Sequence, residues 1–321
     1  MISRRRILIG SAATAAAVLV RRATPVFATA SQPATPVNFA VPPGACDCHT
    51  HIYGDMAAFP MSPARAYTPE PATVEELHAL HRALHIDRVV IVTPSPYGTD
   101  NACTMDAVKR IGPKARCVVV IDDKTPDASL DAMNKGGARG VRLNLITGVK
   151  TDVETARHLF QMAVARAEPR HWHVQLYARL ETIEALKDQV AASPVPVVFD
   201  HFGDAQAPLG VTQAGFKTML DLVQSGHAYV KISAPYRSSK LAPDYPDVAP
   251  LAKALIAANP QRMIWGSDWP HPNPALATPT GLTPFWKIED GSILNQLPVW
   301  APEAAVRKTI LVDNPARLYG F

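Results

Sequence analysis

The chain has 321 residues, 47% of them hydrophobic and 19% charged, which fits one large globular domain or two small ones. Its formal charge of +4 comes from the first thirty residues, which hold Arg4, Arg5, Arg6, Arg21 and Arg22 and no acid; subtracting those five leaves the rest at −1. A near-neutral body with no basic cluster and no aromatic-interleaved patch excludes a nucleic-acid role and gives an anionic membrane nothing to hold.

In chain order, residues 1–30 read as an export signal rather than as fold. "SRRRILIG" supplies a twin-arginine start, "ILIGSAATAAAVLV" a modest apolar core, and "ATA" at Ala28–Ala30 a small-residue cleavage site. The apolar run is too short to span a bilayer as a stable helix. The expectation is a periplasmic protein, exported folded by the twin-arginine machinery, cleaved near Ala30 and left without a stable membrane anchor. Residues 31–44, "SQPATPVNFAVPPG", are Pro-rich and aperiodic, and read as an extended linker.

From residue 45 a rhythm appears. Short β-branched runs stand at 45–52, 87–93, 115–121, 140–146, 173–178, 195–200, 228–234 and 262–268. Amphipathic stretches lie between them, among them 73–84, 152–167 and 180–192, and "EAAVRKTILVDNPARLYG" closes the chain as a helix. Thr73 followed by Glu76 predicts a capping box. Eight strand–helix units predict an α/β protein, a (β/α)8 TIM barrel over 45–321, with the Pro- and Trp-rich stretch 269–300 forming a lid or rim. Of the four cysteines, Cys46 and Cys48 sit too close on one strand to bridge. Strand alternation would turn them away from His49 and His51, to lie with Cys103 and Cys117 as small buried side chains under the helices.

Chemistry in such a barrel sits at the carboxyl ends of the strands. There the chain places His49 and His51 after strand one, Thr93 and Ser95 after two, and Arg142 and Asn144 on four. Strand five ends at Tyr177 and Arg179, strand six at Asp200 and His201, strand seven at Ser233 and Arg237, and strand eight at Asp268. Packing does not call for so many polar residues at one rim. His171 and His173 fall at the beginning of strand five, the wrong end.

"ACDCHTHIYG", "VVFDHFG", "WGSDWPHPN" and "LVDNPARLYG" together resemble the amidohydrolase superfamily, in its amidohydrolase-related (type 2) family and the 2-pyrone-4,6-dicarboxylate lactonase-like branch. The resemblance implies a hydrolase that opens a small anionic lactone without a metal. The resemblance implies that a two-metal member would carry a Lys or Glu after strand four and a His after strand five, which this chain lacks. A single Zn2+ on His49, His51 and Asp268, with His201 behind them, is the alternative; Arg142 in the same pocket opposes it.

Without a metal, His49, His51 and His201 would offer N–H donors to a carbonyl gaining negative charge, and Asp268 would take a proton from water and return it to the leaving oxygen. Arg142 and Arg237 suit a carboxylate. The resemblance implies substrate contacts at these two and at Tyr67, Ser95 and Tyr177. One departure is visible. Lactonases of that branch carry a second arginine a few residues past the Arg142 position; here "VRLNLITGVK" offers Lys150 instead. A lactone with one carboxylate, of sugar-acid or muconolactone type, therefore fits at least as well as the pyrone dicarboxylate. The rivals are a zinc-dependent amidohydrolase or decarboxylase, a sugar-acid lactone isomerase, and a non-catalytic periplasmic binding protein.

Overall fold

The computed structural model describes residues 30–147, 151–277 and 281–321. The expected export signal, apart from Ala30, and Lys150 lie outside the described residues. Eight strands form as the β-branched runs predict: β1 Cys46–Thr50, β2 Arg88–Val92, β3 Ala115–Val119, β4 Ala138–Asn144, β5 His173–Tyr177, β6 Val197–Phe199, β7 Ala228–Ser233 and β8 Met263–Gly266. Only β4 begins outside its expected window, two residues early. The strands are parallel and pair in sequence order, β1 to β8. The ring closes between its ends: the Asp268 N–H donates to the His49 carbonyl at 2.8 Å and the His51 N–H to the Trp269 carbonyl at 2.9 Å. This is the predicted TIM barrel.

Alternation divides the apolar residues into two cores. Val89, Ile91, Val119, Val197, Phe199, Val230, Ile232 and Trp265 pack outward with helix residues such as Leu77, Leu80, Phe160 and Met219. Val90, Val92, Val118, Val198, Tyr229 and Ile264 pack with one another and with Tyr319 inside the ring. Each fully buried aliphatic side chain contributes about 1.5–3 kcal/mol against conformational entropy. Truncating the fully buried Trp265 to Ala would cost about 3–5 kcal/mol.

Cys46 and Cys48 correct the sequence reading. All four cysteines are free and buried, but these two belong to the interior cluster, not to the layer under the helices. The β1–β2 register shifts between Asp47 and Thr50. That irregularity breaks the period-two parity, so Cys48 and the next residue, His49, both reach the barrel interior.

The helices follow their end signals. Helix Val74–Leu84 carries the full capping box: the Glu76 N–H donates to Thr73 Oγ1 at 3.2 Å and the Thr73 N–H to Glu76 Oε2 at 2.8 Å. Such a cap is worth about 1 kcal/mol. Helix Val153–Ala167 is capped by Asp152, whose Oδ1 accepts from the Thr155 N–H at 2.9 Å. The expected helix 180–192 divides at the buried Leu186 into Leu180–Ala185 and Lys187–Ala191. The closing helix runs Ala304–Lys308, a π turn Thr309–Asp313, then Asn314–Tyr319. Pro315 has no N–H to give and its ring would crowd the carbonyl four residues back, so the widened turn precedes it.

Residues 31–44 form no regular element but are tied to the rim stretch. The Ala34 N–H donates to both carboxylate oxygens of Glu289 at 3.1 and 3.0 Å, the Asn38 N–H to Asn295 Oδ1 at 2.8 Å, and Trp269 Nε1–H to the Ser31 carbonyl at 3.0 Å. Among the described residues no helix is long and apolar enough to cross a membrane.

Candidate active site

The site is built at the carboxyl ends of the strands, and its frame is the seam between β1 and β8. Asp47, the residue before the break in alternation, points outward. Its Oδ1 accepts from the His49 N–H at 3.2 Å and the Ser267 N–H at 2.9 Å, and its Oδ2 lies 3.4 Å from His81 Nε2. Gly266 allows the two strands to approach: a Cβ there would stand 2.8 Å from both the His49 nitrogen and the His49 Cβ. The seam thus delivers His49, His51 and Asp268 to one place.

Three imidazoles converge on one oxygen. His49 Nε2 lies 3.5 Å from Asp268 Oδ1, and His51 Nε2 and His201 Nε2 each 3.6 Å from it. The other oxygen, Oδ2, is fully engaged. It accepts from the Tyr236 hydroxyl at 2.5 Å and from Arg237 Nε–H at 2.9 Å, and pairs with the charged Arg237 Nη2 at 2.8 Å. Burial alone would raise the Asp268 carboxyl; the Arg237 guanidinium above all outweighs it and holds it well below the usual carboxylate range. Behind Tyr236 a buried chain continues, its hydroxyl 3.2 Å from His271 Nδ1 and His271 Nε2 3.1 Å from Asp290 Oδ2.

The far nitrogens of the three imidazoles differ, and with them their chemistry. His51 Nδ1 donates to the Val92 carbonyl at 2.8 Å, so a neutral His51 turns an Nε2 lone pair, not an N–H, toward Asp268. His201 Nδ1 meets the Ser233 hydroxyl at 2.8 Å, a partner able to give or accept a proton, and burial pushes this imidazole down to about 4. His49 Nδ1 meets Lys231 Nζ at 3.1 Å. Burial and the neighbouring Lys231 lower its proton affinity well below the ordinary histidine value. The expectation of three equivalent N–H donors therefore gives way to three distinct roles.

His49 also sits differently in space. It is fully buried and does not line the cleft, which is bounded by His51, His201 and Asp268 together with Tyr67, Ser95, Arg142, Tyr177 and Arg237. All five expected substrate contacts thus face one cleft with the acid and two of the histidines. Pro94, Asn144, Thr147, Pro272 and Pro274 complete it, the last two from the rim stretch. Arg237 is committed to Asp268 by one hydrogen bond and an ion pair, so Arg142 is the freer guanidinium, its Nε 3.6 Å from Asp200 Oδ2.

Beneath the cleft lies a group that polar strand ends alone did not point to. Lys231, fully buried on β7, donates to Gln175 Oε1 at 2.6 Å and lies 3.3 Å from Asp200 Oδ1. Gln175 Nε2–H donates to Asp200 Oδ2 at 2.9 Å. Burial would raise the Asp200 carboxyl, but Lys231 and His49 hold it well below its ordinary value. A lysine inside an otherwise apolar strand run, "AYVKISA", was the signal available in the sequence. His173 lies at the opposite end of the barrel against Tyr319, as its place at the start of β5 predicts.

Ligand atoms of His49, His201 and Asp268 lie within 4.8 Å of one another, a set able to gather around a metal ion. His51 is not in that group, which corrects the expected trio of His49, His51 and Asp268. Buried His49 Nε2 and Asp268 Oδ1 have no hydrogen-bond partner among the described residues, as ligand atoms would. A metal-bound imidazole ordinarily gives its other N–H to an acceptor; His49 Nδ1 has both the Lys231 ammonium at 3.1 Å and the Asp200 carboxylate Oδ1 at 3.3 Å beside it.

A family model described as amidohydrolase matches residues 46–321. The chain is similar to 4-sulfomuconolactone hydrolase of Hydrogenophaga intermedia, 37% identical over 288 residues that cover 89% of this chain and 91% of the relative. It is also similar to 2-pyrone-4,6-dicarboxylate hydrolase of Comamonas testosteroni, 34% identical over 302 residues, 91% of this chain and 94% of the relative. A protein of Agrobacterium tumefaciens crystallised in its apo form superposes with a TM-score of 0.76 at 25% identity, over 89% of this chain and 98% of that one. With the match spanning the whole barrel and its catalytic rim, this chain belongs to the amidohydrolase family.

Proposed function

We propose that this chain is a hydrolase that opens a carboxylated lactone without a metal. The observation that carries the reading is the convergence of three imidazoles on Asp268 Oδ1 beside a cleft with surplus positive charge. Asp268 and Asp200 are balanced by Arg237 and Lys231, and Arg142 remains for a substrate anion. The two relatives act on anionic lactones by their names, which supports the same substrate class here.

In this mechanism a water gives one hydrogen bond to Asp268 Oδ1 and one to His51 Nε2, acceptors 3.6 Å apart. Its oxygen forms a bond to the lactone carbonyl carbon as Asp268 takes one proton. The carbonyl oxygen gains charge and accepts from His201 Nε2–H, in the tautomer where Ser233 donates to Nδ1. A donor placed there is worth roughly 10² to 10³ in rate. The ring C–O bond breaks, and Asp268 returns its proton to the departing oxygen, giving a hydroxy acid or its keto form. Arg142, Tyr67, Ser95 and Tyr177 hold the carboxylate and orient the ring.

The test is a panel of carboxylated and neutral lactones, run with metal-analysed protein in 18O-labelled water. Hydrolysis inserts one solvent oxygen; an isomerase inserts none, and a binding protein turns over nothing. Export to the periplasm is a further part of the proposal, supported by the twin-arginine start and the "ATA" site. Fractionation of cells expressing the full chain, with N-terminal sequencing of the mature protein, checks it.

A further inference from the structure

We infer that Lys231 is a positioning residue which sets the tautomer of His49 and thereby keeps a divalent cation out of the His49–His201–Asp268 cluster. An ammonium has three N–H groups and no lone pair. Lys231 has three acceptors around it: Gln175 Oε1 at 2.6 Å, His49 Nδ1 at 3.1 Å and Asp200 Oδ1 at 3.3 Å. Gln175 is turned consistently, its oxygen toward Lys231 and its nitrogen toward Asp200 Oδ2.

Two groups compete for His49 Nδ1. Lys231 would donate to it; Asp200 Oδ1, also 3.3 Å away, would accept a proton from it. The Lys231 contact has hydrogen-bond geometry, whereas the Asp200 contact with His49 Nδ1 is an ion-pair distance without it. Lys231 therefore wins, Nδ1 is the acceptor, and the single proton of neutral His49 sits on Nε2. That N–H faces Asp268 Oδ1 at 3.5 Å. Without Lys231 the ring would give Nδ1–H to Asp200, and two lone pairs would meet across 3.5 Å, an arrangement that invites a cation. Both carboxylates would then lie in the usual places, one as ligand and one behind a ligating histidine.

The experiment compares wild type with K231M and K231R by zinc titration of the purified, metal-stripped proteins, and by 15N NMR of histidine-labelled protein. Expected are a wild-type His49 protonated at Nε2, a proton moved to Nδ1 in K231M, and zinc affinity about tenfold or more higher in K231M, with K231R restoring the wild-type values because arginine keeps a donor there. Should K231M fail to fold, K231M/D200N removes the buried cation and anion together. The amide oxygen that replaces the carboxylate can still accept Nδ1–H, so the same gain in zinc affinity is expected. Equal zinc affinity in wild type and either folded variant would overturn the inference, and so would Nδ1–H in wild-type His49. The inference rests on the metal-free reading of the site and not on the substrate. A chain that opens no lactone would leave both readouts intact, whereas a wild type that holds zinc tightly would overturn the inference whatever it hydrolyses.

Discussion

Arg237 grips Asp268 through an Nε–H hydrogen bond at 2.9 Å and an ion pair from Nη2 at 2.8 Å, both on Oδ2, and so leaves Oδ1 alone to face the three imidazoles. One carboxylate is thereby divided into an anchored oxygen and a working one. The same grip keeps Asp268 ionised across the neutral range and makes it a weak base, which is useful only for a proton that leaves as the new bond forms.

Asp268→Asn keeps the shape and removes the base. Turnover should fall by about 10² to 10⁴ while the far-UV circular dichroism and the melting temperature stay near wild type. Near-normal turnover in the variant would rule out Asp268 as the proton acceptor.

Arg237→Met tests the division of the carboxylate. Asp268 is held below its ordinary value chiefly by Arg237 working against burial. Removing the guanidinium lets the carboxyl rise, so the acid limb of kcat/KM against pH should move to higher pH. A limb that stays in place would mean that another group governs it.

Arg142→Met tests the anion. KM for a carboxylated lactone should rise roughly 10- to 100-fold, the worth of a charge-assisted hydrogen bond, with little change for a neutral lactone. Equal effects on the two substrates would show that Arg142 does not hold the carboxylate.

Asp204 gives a pH-dependent stability. Burial pushes its carboxyl up to about 6, against the opposing pull of Arg179 and Arg237. A folded-state value above the unfolded one contributes stability at low pH, lost as pH rises through about 6. Asp204→Asn stays neutral and tolerates the positive φ of 59°. Its melting temperature should exceed wild type at pH 8, with the gap shrinking as pH falls below about 6 and closing only near the ordinary aspartate value of about 4. A gap independent of pH would contradict the assignment.

Gly266→Ala tests the seam. The new Cβ would meet the His49 nitrogen and Cβ at 2.8 Å, so β1 and β8 must part. A loss of about 1–3 kcal/mol in urea unfolding is expected, with turnover falling further because His49 and Asp268 move together. An unchanged midpoint would show that the seam has slack.

The sequence by itself determined the eight strands, their order and the rim that carries the chemistry, because β-branched runs, helix caps and polar strand ends are local signals. It also determined the family, through motifs at strands one, six and eight. It could not determine which side Cys48 faces, since one break in the β1 alternation reverses parity and leaves no mark in composition. Nor could it show that Arg237 belongs to Asp268, that His49 sits beneath the cleft, or that Nδ1 of one imidazole meets an ammonium, Lys231, while Nδ1 of its neighbour meets a carbonyl, that of Val92. Those outcomes depend on contacts between strands far apart in the chain, His49 and Lys231 being 182 residues apart. Only closure of the barrel brings such atoms within hydrogen-bond range, and that range decides where each proton sits.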